Sequence, residues 1–132
     1  MKKGFLTIVT TVDGTESRFS SKAEMEISSV SAVLCYKETN AIITITVDRN
    51  EVLIERKGDY DMHLLLRENE RTNGVLSIAG NEGNIEIFTE RLAYSIGKNS
   101  LLMQIYYTLI FGKEKQDMRL RINASQTSLE EK

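Results

Sequence analysis

Apolar and polar residues alternate at every second position along most of this chain, and no proline interrupts the alternation. A two-residue period collects one set of side chains on one face of an extended strand. A helix would scatter the same charges around its axis. The clearest segment sets Phe19, Ser21, Ala23, Met25 and Ile27 against Ser20, Lys22, Glu24 and Glu26. Residues 41–49 repeat the pattern, with Ile43, Ile45 and Val47 opposite Thr44, Thr46 and Asp48. Val52, Ile54 and Arg56 share the next face, followed by Tyr60, Met62, Leu64 and Leu66. Near the end, Met118, Leu120, Ile122 and Ala124 oppose Arg119, Arg121 and Asn123. The apolar run 101–111 also reads as strand, because its Tyr, Thr, Ile and Phe suit a pleated surface.

Turn residues separate these segments at Asp13-Gly14, Glu38-Thr39-Asn40, Arg49-Asn50, Gly58-Asp59, 81–84 and Gly112-Lys113. They predict roughly eight to ten strands with short connections, and short connections make sequential strands antiparallel. So many strands with one apolar face must hide their edges. Closure into a barrel does so, with a two-sheet sandwich as the rival. The expected fold is therefore all-β, a single antiparallel β-barrel. At 132 residues one domain is expected, spanning 1–124, with 125–132 as a polar, frayed tail. A chain of this length buries enough surface to need no disulfide or metal.

Charge and motifs exclude more than they assign. Lys and Arg number 17 against 19 Asp and Glu, a net charge of -2. That balance argues against nucleic acid or a membrane surface as the main partner. The stripe formed by Arg119 and Arg121, with Lys113 and Lys115 nearby, reads as a solvated outer face countered by Glu114 and Asp117. The lone cysteine, Cys35, forbids an internal disulfide and fits a reducing compartment, the cytoplasm. It reads as a small hydrophobe in a strand. The lone histidine, His63, lies on a polar face and rules out paired-imidazole metal motifs. Thr7, Thr10 and Thr11 break the early apolar run, which reads against a signal peptide. The stretch 101–111 is too short and too polar to span a bilayer. No phosphate-binding loop or nucleophile elbow is present. Residues 81–84 look faintly like a calcium loop but read as a hairpin turn, and Asn123-Ala124-Ser125 matches a glycosylation sequon by chance. No metal, cofactor or catalytic residue is expected.

One constellation carries chemistry. If Lys37 faces water, Tyr36 and Glu38 face the apolar interior, and Val52, Ile54 and Arg56 turn Arg56 inward too. The two strands run the same way with one strand between them, about 10 Å apart. Arg56 could then meet Glu38 directly, through water or across a ligand. Tyr60 and Tyr107 share the apolar parity and could add hydroxyls. An inward arginine is costly unless paired. The group is either a polar plug closing one barrel end or the floor of a small-molecule pocket.

The segments Tyr36-Lys37-Glu38-Thr39 and Arg56-Lys57-Gly58, and then Ser77-Ile78-Ala79-Gly80, resemble the YwiB-like family of small bacterial proteins. Ile85-Glu86-Ile87-Phe88-Thr89 and Tyr107-Thr108-Leu109 follow in the expected order. The resemblance covers about residues 4–124. It implies a lipocalin-like, calycin-type β-barrel of unassigned function. The sequence departs from that pattern at Val75-Leu76-Ser77, and Asn81-Glu82-Gly83 is expected to lengthen the turn after Gly80.

The functional expectation is non-catalytic binding of a small, partly apolar, anionic molecule. Arg56 pairs the anion, Tyr36 and Tyr107 donate hydrogen bonds, and Glu38 orients Arg56. The alternative is a barrel filled by its own side chains and acting through a protein interface. In that reading the outward Leu102, Tyr106, Ile110, Leu53 and Leu65 form a second apolar face for a homodimer or partner.

Overall fold

The computed structural model describes residues 1–127. Ten strands follow one another: β1 (Lys2–Val12), β2 (Thr15–Ile27), β3 (Ser31–Glu38), β4 (Ala41–Asp48) and β5 (Glu51–Gly58), then β6 (Tyr60–Arg67), β7 (Arg71–Ile78), β8 (Asn81–Ile96), β9 (Ser100–Phe111) and β10 (Glu114–Gln126). Each pairs antiparallel with its sequence neighbours, and β1 pairs with β10 to close the barrel. The sandwich alternative is thereby excluded.

The period-two pattern maps onto the wall as expected. Met25, Leu34, Ile45, Val47, Val52, Leu64, Leu66 and Ile105 are buried inside, while their alternates face out. Tight turns follow the hairpin rule that both central residues take positive φ. Asp13 and Gly14 do so at 47° and 88°, and Arg49 and Asn50 at 54° and 63°.

Three expectations change. The turn expected at 81–84 is the pair Ala79-Gly80, with φ of 52° and 82°. Asn81 already pairs with Ile78, and Gly83 with Leu76, so this stretch is strand and does not lengthen the turn. Asn and Gly are poor strand formers alone, but pairing with β7 overrides that preference. The barrel also extends past residue 124: Ser125 pairs with Phe5 and Ser100, and Gln126 with Gly4. The tail expected beyond these residues falls, from 128 on, outside the described residues. Finally, Leu102, Tyr106 and Ile110 lie on β9 while Leu53 and Leu65 lie on β5 and β6, with β8 and β7 between. All five face outward, but they form two patches rather than one face.

A bulge in β8 between Thr89 and Arg91 reverses the parity of that strand. Ile85, Ile87 and Thr89 point inward before it, and Leu92 and Tyr94 after it. The bulge docks on the β6–β7 turn, where Asn69 N donates to Thr89 O at 2.7 Å.

The wall is uneven. β3 to β7 have eight residues each, whereas β1, β2, β8, β9 and β10 have 11 to 16. Consequently β2 outruns β3. Their register covers only Glu24 to Ile27 against Ala32 to Cys35, and beyond it the two strands part.

Candidate functional site

The barrel has two dissimilar ends. At the end holding the Arg49-Asn50 turn, Tyr94 reaches over from β8. Its hydroxyl accepts from Asn50 N at 3.0 Å and donates to Asn50 Oδ1 at 3.4 Å, capping the interior. At the opposite end, Phe19, Met62, Leu76 and Met118 are only half-buried around the rim.

This second end holds the residues singled out from the sequence. Tyr36, Ile43, Arg56 and Met62 form one row across β3, β4, β5 and β6. Tyr36 and Tyr107 are buried at 7% and 6% exposure, and Arg56 at 9%. The parity argument therefore put all three on the correct side of the wall. Tyr36 packs against Phe19 across the parting of β2 and β3, ring centroids 5.6 Å apart. Burial raises the Tyr36 phenol well above its ordinary range, helped by the negative charge of Glu38 and, once it ionises, of Tyr107. Burial alone pushes Tyr107 up to about 12. Both hydroxyls therefore stay protonated at physiological pH and act as donors. Among the described residues neither hydroxyl has a hydrogen-bond partner, though neither is fully enclosed, whereas Thr89 Oγ1, opposite Tyr107 in the register, is both enclosed and unpartnered.

The expected Glu38–Arg56 pair does not form. Glu38 shares the inward parity but sits at the rim, exposed, at the last position of β3. Arg56 instead turns toward the β5–β6 connection. Its Nη1 lies 2.8 Å from Asp59 Oδ1 and donates to Tyr60 O at 2.7 Å. The guanidinium carbon sits 3.6 Å from the centre of the Tyr60 ring. Tyr60 thus offers its ring face and carbonyl, not the hydroxyl expected of it. Asp59 escaped the sequence reading because strand parity says nothing about a residue in a turn. Its Arg(i)–Asp(i+3) spacing across Gly58 was the available signal.

The clamp is pH-sensitive. The hydrogen bond from Arg56, more than its charge, holds the Asp59 carboxyl below the usual aspartate range. A lowered folded-state value means that the contribution is complete above the ordinary aspartate range and is lost as acid protonates folded Asp59. Urea titrations from pH 6 downward should show wild type and Asp59→Asn converging in stability under acid. A gap that does not narrow would show that the ionised carboxylate adds nothing.

The remaining candidates stay outside. His63 is exposed with Nδ1 3.6 Å from Glu55 Oε2. Cys35 is half-buried on the outer wall, where Thr44 Oγ1 donates to its Sγ at 3.8 Å. Arg119 and Arg121 are exposed. Where β2 and β3 part, a cleft of about 830 Å³ opens beside Cys35 and Lys37. Its walls include Ser21, Ala23 and Tyr36, which carry the inward parity of their strands. Among the described residues no helix is long and apolar enough to cross a membrane, and no group of three His, Cys, Asp or Glu is placed to hold a metal ion.

Residues 6–122 match the model of a domain of unknown function, DUF1934. The chain belongs to this family. Its barrel is similar to the crystal structure of the ywiB protein from Bacillus subtilis, with a TM-score of 0.81 and 16% identity. The match covers 96% of this chain and 93% of that one. The YwiB-like resemblance drawn from short motifs therefore holds, and at this identity it shows the shared barrel alone. No curated protein matches the chain.

Proposed function

We propose that this DUF1934 barrel binds, without catalysis, a small and partly apolar anion at the Tyr36 end. One observation carries the reading: two protonated tyrosine hydroxyls stand at an apolar barrel end without a partner among the described residues, next to a cleft in the wall. A ligand oxygen accepting from Tyr36 and Tyr107 would give both donors a fixed partner, beside Thr89 Oγ1, which is buried without one. Phe19, Ile43, Met62, Leu76 and Met118 would pack its apolar part. Among the described residues Arg56 uses only Nη1, so its Nε and Nη2 groups can supply positive charge while Nη1 holds Asp59. Glu38 is removed from the orienting role, which passes to Asp59 and the Tyr60 ring. The reducing compartment suited to Cys35 makes the cytoplasm the expected location.

The test is native mass spectrometry of gently purified protein, with anilinonaphthalene sulfonate as the apolar anionic probe. Wild type should carry extra mass that disappears on denaturation, or bind the dye with one protein-bound site. The Tyr36→Phe/Tyr107→Phe double variant should lose either signal at least tenfold. It removes only hydroxyls that no described residue bonds, so its melting temperature should hold or rise. Arg56→Met should also lose binding, though it loosens the β5–β6 turn as well. Bare wild-type protein with no dye binding would overturn the proposal, as would a double variant that binds equally well.

A further inference from the structure

Four of the chain's eight arginines stand together on one outer wall. The register builds two parallel rows across the long strands. Ala93, Gln104, Arg121, Val9 and Arg18 form one, and Arg91, Tyr106, Arg119, Thr11 and Glu16 the next. The pair Arg119 and Arg121, readable from β10 alone, is thus joined by Arg18 from β2 and Arg91 from β8.

Three features set this wall apart from ordinary solvated surface. First, none of these four arginines has a carboxylate within 4 Å among the described residues, whereas Arg67 and Arg71 on the short-strand side pair with Glu51 and Glu86. Second, the wall is grooved. A cleft of about 630 Å³ runs along Arg18, Gln104, Arg121, Leu102 and Asn123, over Val9, which is 8% exposed although it points away from the core. A smaller hollow of about 240 Å³ continues it past Tyr106 and Arg119, sharing Val9, Gln104 and Arg121. From the Thr7 row to the Thr11 row the groove runs roughly 13 Å, at about 3.3 Å per residue. Third, its aromatic is already engaged by a cation: the Arg119 guanidinium sits 4.8 Å from the centre of the Tyr106 ring, and Arg91 flanks Tyr106 on the other side. Glu16 is the carboxylate that lines the groove, at its far end.

We propose that this wall binds single-stranded RNA. The cations are all arginine, whose planar fork suits phosphate oxygens. Tyr106 offers a stacking face, and the Gln104 and Asn123 amides can read base edges. An acidic peptide is the poorer fit, because extended peptides bind sheets by adding a strand at an open edge, and β1, β10 and β9, which form the groove floor, are paired along both edges. The net charge of -2 averages over the whole molecule and hides this concentration. The groove is separate from the Tyr36 end, so either proposal can fail without the other.

Fluorescence anisotropy of a fluorescein-labelled twelve-nucleotide oligouridylate tests the assignment. Binding should appear at low salt and weaken with a log–log slope between about -2 and -3, from roughly -0.7 per phosphate neutralised. The Arg18→Gln/Arg121→Gln double variant should lose at least tenfold in affinity, and Tyr106→Ala should lose a similar amount. Arg67→Gln/Arg71→Gln, on the opposite wall, should bind as wild type does. Melting curves of all variants verify folding. Absence of binding at low salt overturns the proposal, and so does equal loss from the opposite-wall variant. Displacement by an equal length of polyglutamate at the same concentration as by unlabelled RNA would also overturn it, by showing a surface that responds to charge alone.

Discussion

Leu64→Ala should lower the melting temperature by roughly 10 to 15 °C, from a loss of about 3–4 kcal/mol in a chain of this size. Leu64 is 1% exposed and belongs to a row of the inner wall that runs through Met25, Leu34, Ile45, Ile54 and Gly74. Its neighbour on β7 is the glycine. A methyl group built on Gly74 would lie 2.7 Å from Leu64 Cδ2, so the leucine already fills the space that a β7 side chain would take. Truncation therefore leaves a cavity with no side chain on that strand to relax into it. Such uncollapsed sites occupy the upper part of the range for leucine truncation. Leu65→Ala is the comparison. That residue faces outward and is half-buried, and its loss should cost less than about 1 kcal/mol. Equal melting temperatures for the two variants would contradict the inward packing of Leu64.

Gly58→Ala should cost about 3 kcal/mol although it adds a single methyl group. An alanine Cβ there would collide with the Asn40 carbonyl oxygen and lie 2.7 Å from Ala41 Cα. Both are backbone atoms, so no side-chain rotation relieves the contact. The close approach is structural, because Asp59 N donates to that same Asn40 carbonyl at 3.1 Å. Moving the two strands apart would break this bond and shift the Asp59 carboxylate that holds Arg56. The variant should therefore lose dye binding at the Tyr36 end together with stability. Gly83→Ala provides the opposite sign. Nothing lies within 4 Å of its added methyl, and its backbone is not left-handed. Restricting the unfolded chain should make it neutral or stabilising by up to about 1 kcal/mol. Urea midpoints of the two variants on opposite sides of wild type are the expected result. A Gly58→Ala midpoint equal to wild type would show that the rim yields easily.

Much of the architecture was legible because a barrel wall is a local code repeated ten times. Each strand must present one face to the interior, so parity placed Ile43, Ile54, Leu120 and their partners, and also the buried Tyr36, Arg56 and Tyr107. Turn chemistry located most hairpins, since positive φ at two successive residues narrows the choice. It failed at Ala79-Gly80, where alanine accepts a conformation that its side chain disfavours and strand pairing holds Asn81 and Gly83 extended.

The sequence by itself determined which side of the wall each side chain occupies, because side-chain alternation depends only on the extended backbone. Tertiary structure alone decided which of those side chains meet. Arg56 clamps Asp59 rather than Glu38 because a turn brings residue i+3 back over the strand end, and no parity rule covers a turn. Arg18, Arg91, Arg119 and Arg121 share one face because the register aligns strands distant in the chain, and register follows from barrel closure and the bulge at Thr89/Arg91. Charge counted along a chain is blind to both.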